Sequence, residues 1–300
     1  MIGIKKIFIT PNIDKASTFT CVNKLFDLLK DKDCTLMFHS DYKECFDYPE
    51  NVTIEDDFLS LLKQCDFMLV LGGDGTIIHS AKHAAQADKP LLGINAGYLG
   101  FTANLETSEL DEVLKLLDGD YTIEERMLLK ISVYDKSDNF IDETECINDA
   151  VVSRGSASRI IDINVELNGH SSSNYRADGV IFATPTGSTA YALSAGGPII
   201  DPSVGCIELV PICPHSLLSR PIIYSADSSL KVTFPKRHNA SGPKCEAFLT
   251  VDGEKVYSLN DGEAVLIRKS DIYAKFIKIN KSSFSDILQQ KIIDNDRKWK

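Results

Sequence analysis

Three stretches of this sequence combine residue types that do chemistry. The first is Gly72-Gly73-Asp74-Gly75-Thr76. Glycine has no Cβ, so the backbone around Asp74 is able to approach a ligand closely. A helix starting near Thr76 would add free N–H groups and the positive end of its dipole, which suit phosphate. Asp74 does not fit a plain phosphate loop. A carboxylate there repels phosphate unless a cation lies between them or the carboxylate takes part in the reaction. The alternative reading of these residues is a tight turn with an Asx hydrogen bond. The second stretch runs from Asp178-Gly179 through Thr184-Pro185-Thr186-Gly187-Ser188-Thr189-Ala190-Tyr191-Ala192-Leu193-Ser194 to Gly196-Gly197-Pro198, with six hydroxyl side chains in residues 184–194. Hydroxyls and backbone N–H groups are the inventory that bonds ribose and phosphate oxygens. The third is Asn148-Asp149, a polar pair in a β-rich run: either a turn, or an amide and a carboxylate that read a base edge and a ribose diol. Arg154, Arg159 and Arg176 read either as surface charges or as phosphate partners.

These stretches need elements to hold them. Phe67–Leu71 reads as a buried strand running into the glycine corner, and the apolar spacing from Thr76 to Gln86 predicts a helix. Ile4–Thr10, Cys34–Phe38 and Leu91–Asn95 read as further strands, Lys15–Lys30 and Phe58–Lys63 as helices, and residues 40–53 as irregular. Alternating strands and helices predict a parallel sheet covered on both faces. Ligands bind such sheets beyond the carboxyl ends of strands, where Gly72–Gly75 and Asn95–Gly100 both fall. Leu110–Leu117 reads as one more helix. Beyond Tyr121 the texture changes to short β-rich runs: Leu128–Tyr134, Thr144–Ser153, Ile161–Leu167, Gly179–Thr184, Leu230–Phe234, Ala247–Val251 and Ala264–Lys269. Asn168-Gly169 is a hairpin turn signal, and one helix is expected after Ser188. The expected domains are an α/β unit over residues 1–105 and a β-rich unit over 106–274. The end of the chain, with a helix over Phe284–Ile293, is expected to pack back on the first.

Composition narrows the function classes. A formal net charge of -11 with no Lys/Arg run argues against a nucleic-acid binder. No apolar run approaches the ~18 residues of a membrane span, and Lys5 and Lys6 interrupt any N-terminal signal. The eight cysteines form no Cys-x-x-Cys pair, which predicts reduced thiols and a cytoplasmic protein. The six histidines show no ligand spacing, so no fixed metal site is expected.

Taken together, Gly72-Gly73-Asp74-Gly75-Thr76, Asn95–Phe101, Asn148-Asp149 and the Asp178–Pro198 block resemble, in order and spacing, the signature blocks of bacterial-type NAD kinases over about residues 65–270. The resemblance implies an α/β amino-terminal domain and a β-rich carboxy-terminal domain with the active site between them. It implies transfer of the γ-phosphoryl of ATP to the 2′-hydroxyl of the adenosine ribose of NAD, with a divalent cation (Mg²⁺). Asp74 would be the catalytic proton acceptor, with Gly72, Gly73, Gly75 and Thr76 as the phosphate loop. The NAD contacts implied are Asp74, Gly75, His79, Phe101, Asn148, Asp149, Arg159, Arg176, Asp178, Thr189, Ala190, Tyr191, Ala192, Leu193 and Ser194. A homodimer or homotetramer is implied as well. Two positions depart from the pattern. Asp149 stands where the family often has Glu, and Asp252-Gly253-Glu254 stands where it usually has Asp-Gly-Gln, which puts Glu254 in doubt as a contact.

Two rivals share parts of this pattern. A lipid kinase would share the Asp74 corner but needs an acyl pocket, which residues 178–198 do not suggest. A non-enzymatic NAD(H) sensor would have no use for a carboxylate beside phosphate.

Overall fold

A computed structural model describes residues 4–97, 100–155, 160–234, 247–280 and 283–290. Their contacts form two units, residues 1–125 with 273–300, and residues 126–272. The first division follows Glu125, where the sequence suggested 105, and the second follows Ile272.

The first unit carries β1 (Lys5–Pro11), α1 (Ala16–Leu29), β2 (Cys34–His39), β3 (Val52–Glu55), α2 (Phe58–Gln64), β4 (Phe67–Gly72), α3 (Asp74–Gln86), β5 (Pro90–Asn95), β6 (Leu105–Glu106) and α4 (Lys115–Asp118). Its strands run parallel in the order β3-β2-β1-β4-β5. All of β4 is buried. A parallel strand covered on both faces needs such a continuous apolar run, which is why Phe67–Leu71 shows no alternation. On one face α1 packs Val22, Leu25, Phe26 and Leu29 onto Ile7, Ile9, Leu69 and Leu71. The expected doubly covered parallel sheet is borne out.

Three local expectations are corrected. Residues 40–53 are not all irregular, because β3 starts at Val52; its four residues are too few to show a period. Residues 110–117 are not one α-helix. A 3₁₀ stretch, Thr107–Leu114, kinks at Glu109 before the single turn of α4, which Gly119 ends at φ 74°. The helix expected from Thr76 starts at Asp74, with Gly73 as its N-cap.

β7 (Thr122–Tyr134) leads into the second unit. There follow β8 (Phe140–Cys146), β9 (Asp149–Arg154), β10 (Ile161–Leu167), β11 (His170–Ala177), β12 (Gly179–Ala183), α5 (Tyr191–Ser194), β13 (Cys206–Ile212), β14 (Ile222–Ser225), β15 (Leu230–Thr233), β16 (Ala247–Val251), β17 (Lys255–Leu259) and β18 (Ala264–Lys278). One sheet has the order β14-β13-β12-β9-β16-β17, antiparallel at every step. β10 pairs antiparallel with β11 and β15. The β-rich expectation is therefore borne out, with more strands than the sequence suggested. β11 is the second strand of the hairpin expected at Asn168-Gly169, with Leu167 beside His170; β13, β14 and β17 were not foreseen, and Thr144–Ser153 is two strands broken at residues 147 and 148. The break matters for the site, since Asn148 lies in it. β18 runs on to Lys278, nine residues past the expected Lys269, and its end pairs with β5 (Lys275 beside Pro90). Helical backbone covers 284–290; the rest of the expected Phe284–Ile293 helix lies outside the described residues. Seven cysteines are free thiols, and Cys245 also lies outside the described residues.

Candidate functional site

In the first unit, strand register assembles the glycine corner. Pro11 lies beside Leu71 and Gly72 beside Asn95, so the carboxyl ends of β1, β4 and β5 come together. A Cβ at Gly72 would stand 2.6 Å from Thr76 Cβ, so only glycine lets α3 leave β4 so sharply. Asn12 Nδ2 donates to Thr76 Oγ1 at 3.1 Å and ties β1 to the first turn of α3. Lys15 Nζ lies against the same corner, 3.2 Å and 2.8 Å from where Cβ atoms at Gly73 and Gly97 would be. A half-buried ammonium and a helix N-terminus together make an anion-favouring corner.

Asp74 sits in the first turn of α3. Its Oδ2 accepts from the Phe101 N–H at 2.9 Å. Its Oδ1 accepts from the Thr102 N–H at 3.1 Å and from Thr102 Oγ1 at 2.6 Å. Three donors from one neighbouring segment fix the carboxylate's orientation. The segment approaches so closely that a Cβ at Gly100 would stand 2.1 Å from Asp74 Oδ1. Gly75 and His79 are exposed on α3, and no described residue lies within 4 Å of a Cβ placed at Gly75. The His79 ring packs edge-on to His83, and the Phe101 ring lies 6.3 Å from Phe284. The sequence-selected Asp74, Phe101 and glycine corner are thus joined by hydrogen bonds; His79 is one turn along α3.

In the second unit, a cavity of about 420 Å³ is lined by Asn148, Asp149, Val151, Ser153, Ala190, Tyr191, Thr250, Asp252 and Gly253. Four of these, Asn148, Asp149, Ala190 and Tyr191, are residues selected from sequence. Asp149 is 6 % exposed, and burial together with the nearby Asp252 charge pushes its carboxyl up to about 7. Near neutral pH it therefore exists partly as the neutral acid, able to donate as well as accept.

The hydroxyl-rich block serves the loop itself more than the cavity. Thr184 Oγ1 donates to the Ile147 carbonyl and accepts from the Gly187 N–H. Ser188 Oγ lies 2.7 Å from the Pro185 carbonyl oxygen, to which it donates, and accepts from the Ile200 N–H at 2.9 Å. Thr189 Oγ1 donates to the Thr186 carbonyl at 3.2 Å. These bonds hold a 3₁₀ turn, Gly187–Thr189, which leads into the single turn of α5 and presents Tyr191, 46 % exposed. Ala192 is buried in the cluster beneath, and Leu193 and Ser194 are exposed. Gly187 lies so near the β8–β9 break that a Cβ there would stand 2.0 Å from the Asn148 carbonyl oxygen.

Asp178 accepts from Arg154 Nε at 2.7 Å, so its first partner is a side chain of this chain. Arg176 is exposed on β11, outside the cavity lining. Arg159 lies outside the described residues. The Glu254 N–H closes the turn after β16 onto the Val251 carbonyl. Asp252, whose carboxylate accepts three backbone N–H bonds, stood in the sequence only as the first residue of the Asp-Gly-Gln pattern, with no role given to it. The Asp-Gly after the β16 run was its only signal.

Comparison with known proteins bears on both units. Residues 7–121 match the ATP-NAD kinase N-terminal domain and residues 147–279 the ATP-NAD kinase C-terminal domain. The chain is 37% identical to the NAD kinase of Acetivibrio thermocellus over 98% of this chain and 99% of that protein. It is 40% identical to the NAD kinase of Desulforamulus reducens over 76% and 77%. Its fold matches that of yeast NADH kinase complexed with NADH, with a TM-score of 0.89 at 24% identity, covering 98% of this chain and 89% of that one. It also matches an Archaeoglobus fulgidus NAD kinase in complex with ATP, with a TM-score of 0.70 at 24% identity, covering 94% and 98%. With both domain models matched and relatives above 30% identity along nearly its whole length, the chain belongs to the NAD kinase family.

Proposed function

We propose that the chain transfers the γ-phosphoryl of ATP to the 2′-hydroxyl of the adenosine ribose of NAD, giving NADP. The observation that carries this reading is the cavity in which Asn148, Asp149 and Tyr191 converge: an amide, a carboxyl and an aromatic ring suited to a nucleoside. Family membership supports the same reaction. The glycine corner of α3, with its N–H groups and Lys15, is assigned to the triphosphate. Asp74 is assigned as the acceptor of the ribose hydroxyl proton. That hydroxyl is a poor nucleophile at neutral pH, and a positioned carboxylate removes its proton as the phosphoryl moves. Gly75, His79, Phe101, Arg159, Arg176, Asp178 and Thr189–Ser194 complete the proposed NAD contacts.

Mg²⁺ enters with ATP as the metal–nucleotide substrate, where it neutralises phosphate charge. Among the described residues no group of three His, Cys, Asp or Glu side chains forms a resident metal site. A cytoplasmic homodimer or homotetramer belongs to the same proposal, and light scattering after size exclusion measures the assembly. No helix among the described residues is long and apolar enough to cross a membrane.

The deciding experiment is a coupled assay with NAD, ATP and Mg²⁺, read by an NADP-specific dehydrogenase. NADP formation is expected; none, with intact NAD binding, overturns the kinase reading. Gly75→Ala gives a finer test. A methyl at Gly75 meets nothing within 4 Å among the described residues, so it costs no packing there. The variant is expected to melt no lower than the wild type while its KM for ATP rises, because the methyl occupies the approach to phosphate. An unchanged KM for ATP would remove Gly75 from the phosphate loop.

A further inference from the structure

The segment Ile147-Asn148-Asp149, between β8 and β9, is gripped from two sides. On one side Thr184 Oγ1 donates to the Ile147 carbonyl and the Thr184 N–H donates to the Asn148 carbonyl at 2.9 Å. On the other, Asp252 Oδ2 accepts from the Ile147 N–H at 2.9 Å, and its Oδ1 accepts from the Asn148 N–H at 2.8 Å and the Asp149 N–H at 3.1 Å. The Asp252 N–H returns a bond to the Asp149 carbonyl at 2.9 Å. Three consecutive N–H groups pointing at one carboxylate is not strand geometry; it explains why the ladder breaks here. Bonds to a charged acceptor are roughly twice as strong as neutral ones.

We propose that Asp252 is a positioning residue for the dinucleotide: by gathering these three N–H groups it sets the direction in which Asn148 and Asp149 face the cavity. The proposal rests on the reading that this cavity takes NAD. Asp252 has a second effect, through charge. The titratable groups lining the cavity with Asp149 are Asp252, from the turn after β16, and Tyr191, from α5; the β12 residue paired with Asp149 is Ala183. The Asp252 carboxylate is thus the neighbouring negative charge that opposes ionisation of Asp149, in addition to burial.

Asp252→Asn is the discriminating change. Asp252 has φ 49°, in the left-handed region that Asn adopts readily, so the turn is retained. The amide keeps one acceptor oxygen and turns an NH₂ toward a backbone N–H, which loosens the segment. The expected result is a KM for NAD raised about tenfold, the consequence of losing one charge-assisted bond, with kcat and the KM for ATP nearly unchanged. The Asp149 carboxyl, followed by ¹³C NMR without nucleotide, should titrate at lower pH than in the wild type. A purely structural role would lower the melting temperature without raising the KM for NAD selectively; the midpoint reports the charge effect alone. An unchanged KM for NAD, or losses in kcat and the KM for ATP as large as that for NAD, overturns the proposal; an unmoved midpoint overturns the charge effect. A wild-type protein that binds no NAD overturns the reading of the cavity instead, and the titration still decides whether the Asp252 charge acts on Asp149.

Discussion

Asp74→Asn is expected to leave NAD binding intact and to lower kcat by about 10²–10⁴, the range for losing a general base. The substitution is a fair test because Asn serves most of the carboxylate's structural contacts. Oδ1 takes both bonds from Thr102, and an amide oxygen in that place keeps them. The bond lost is that from the Phe101 N–H to Oδ2, which costs about 1–3 kcal/mol in stability. A modest fall in melting temperature with a large fall in single-turnover rate is therefore the signature of proton acceptance. Wild-type turnover in this variant removes Asp74 from the role. Gly100→Ala approaches the same geometry from outside. Its methyl would stand 2.1 Å from Oδ1, so the carboxylate must turn away, and turnover should fall although Asp74 is still present.

What the sequence made legible follows from where the signals are local. β4 and α3 are a continuous apolar run followed by a 3.6-residue period, and both emerge close to their expected limits. Asn148, Asp149 and Tyr191 were recognised as polar or aromatic residues in unusual company, and the cavity collects them. The misses have physical causes. β13 and β14 are joined through Cys213, which sits at φ 45°, and through Pro214, so no glycine turn signal marks them. The hydroxyls of Thr184 and Ser188 were assigned to ligand chemistry, but they satisfy backbone groups of a buried loop, and composition does not tell these uses apart. Asp252 was named only for its place in the Asp-Gly-Gln pattern; its role was not legible because its partners are backbone N–H groups about a hundred residues away, close only through the pairing of β16 with β9.

Glu208 was invisible for a similar reason, and it carries the second large expected effect. β13 places it opposite Ala183 of β12, on the face that holds Ile181, Ala183, Val210 and Ala192. The residue is 0% exposed, and neither carboxylate oxygen has a hydrogen-bond partner among the described residues. Gly197 makes room for it; a Cβ there would stand 2.2 Å from Oε1. Burial without partners disfavours the charged form, and the carboxyl is pushed up from 4.5 to about 7. The folded-state value is raised, so the unfolded chain releases this proton first as pH rises. The stability tied to the proton is fully present below about pH 4.5 and is lost as pH rises through about 7. At 1.36 kcal/mol per unit, the loss approaches about 3 kcal/mol above pH 7. Glu208→Gln cannot titrate, so its stability relative to wild type should climb by about that amount between pH 5 and pH 8. Taking the difference between the two proteins cancels Asp149, which titrates in the same window in both. Urea denaturation at the two pH values measures it, and a difference that stays constant would mean that Glu208 finds a partner or water in solution and ionises like an ordinary carboxylate.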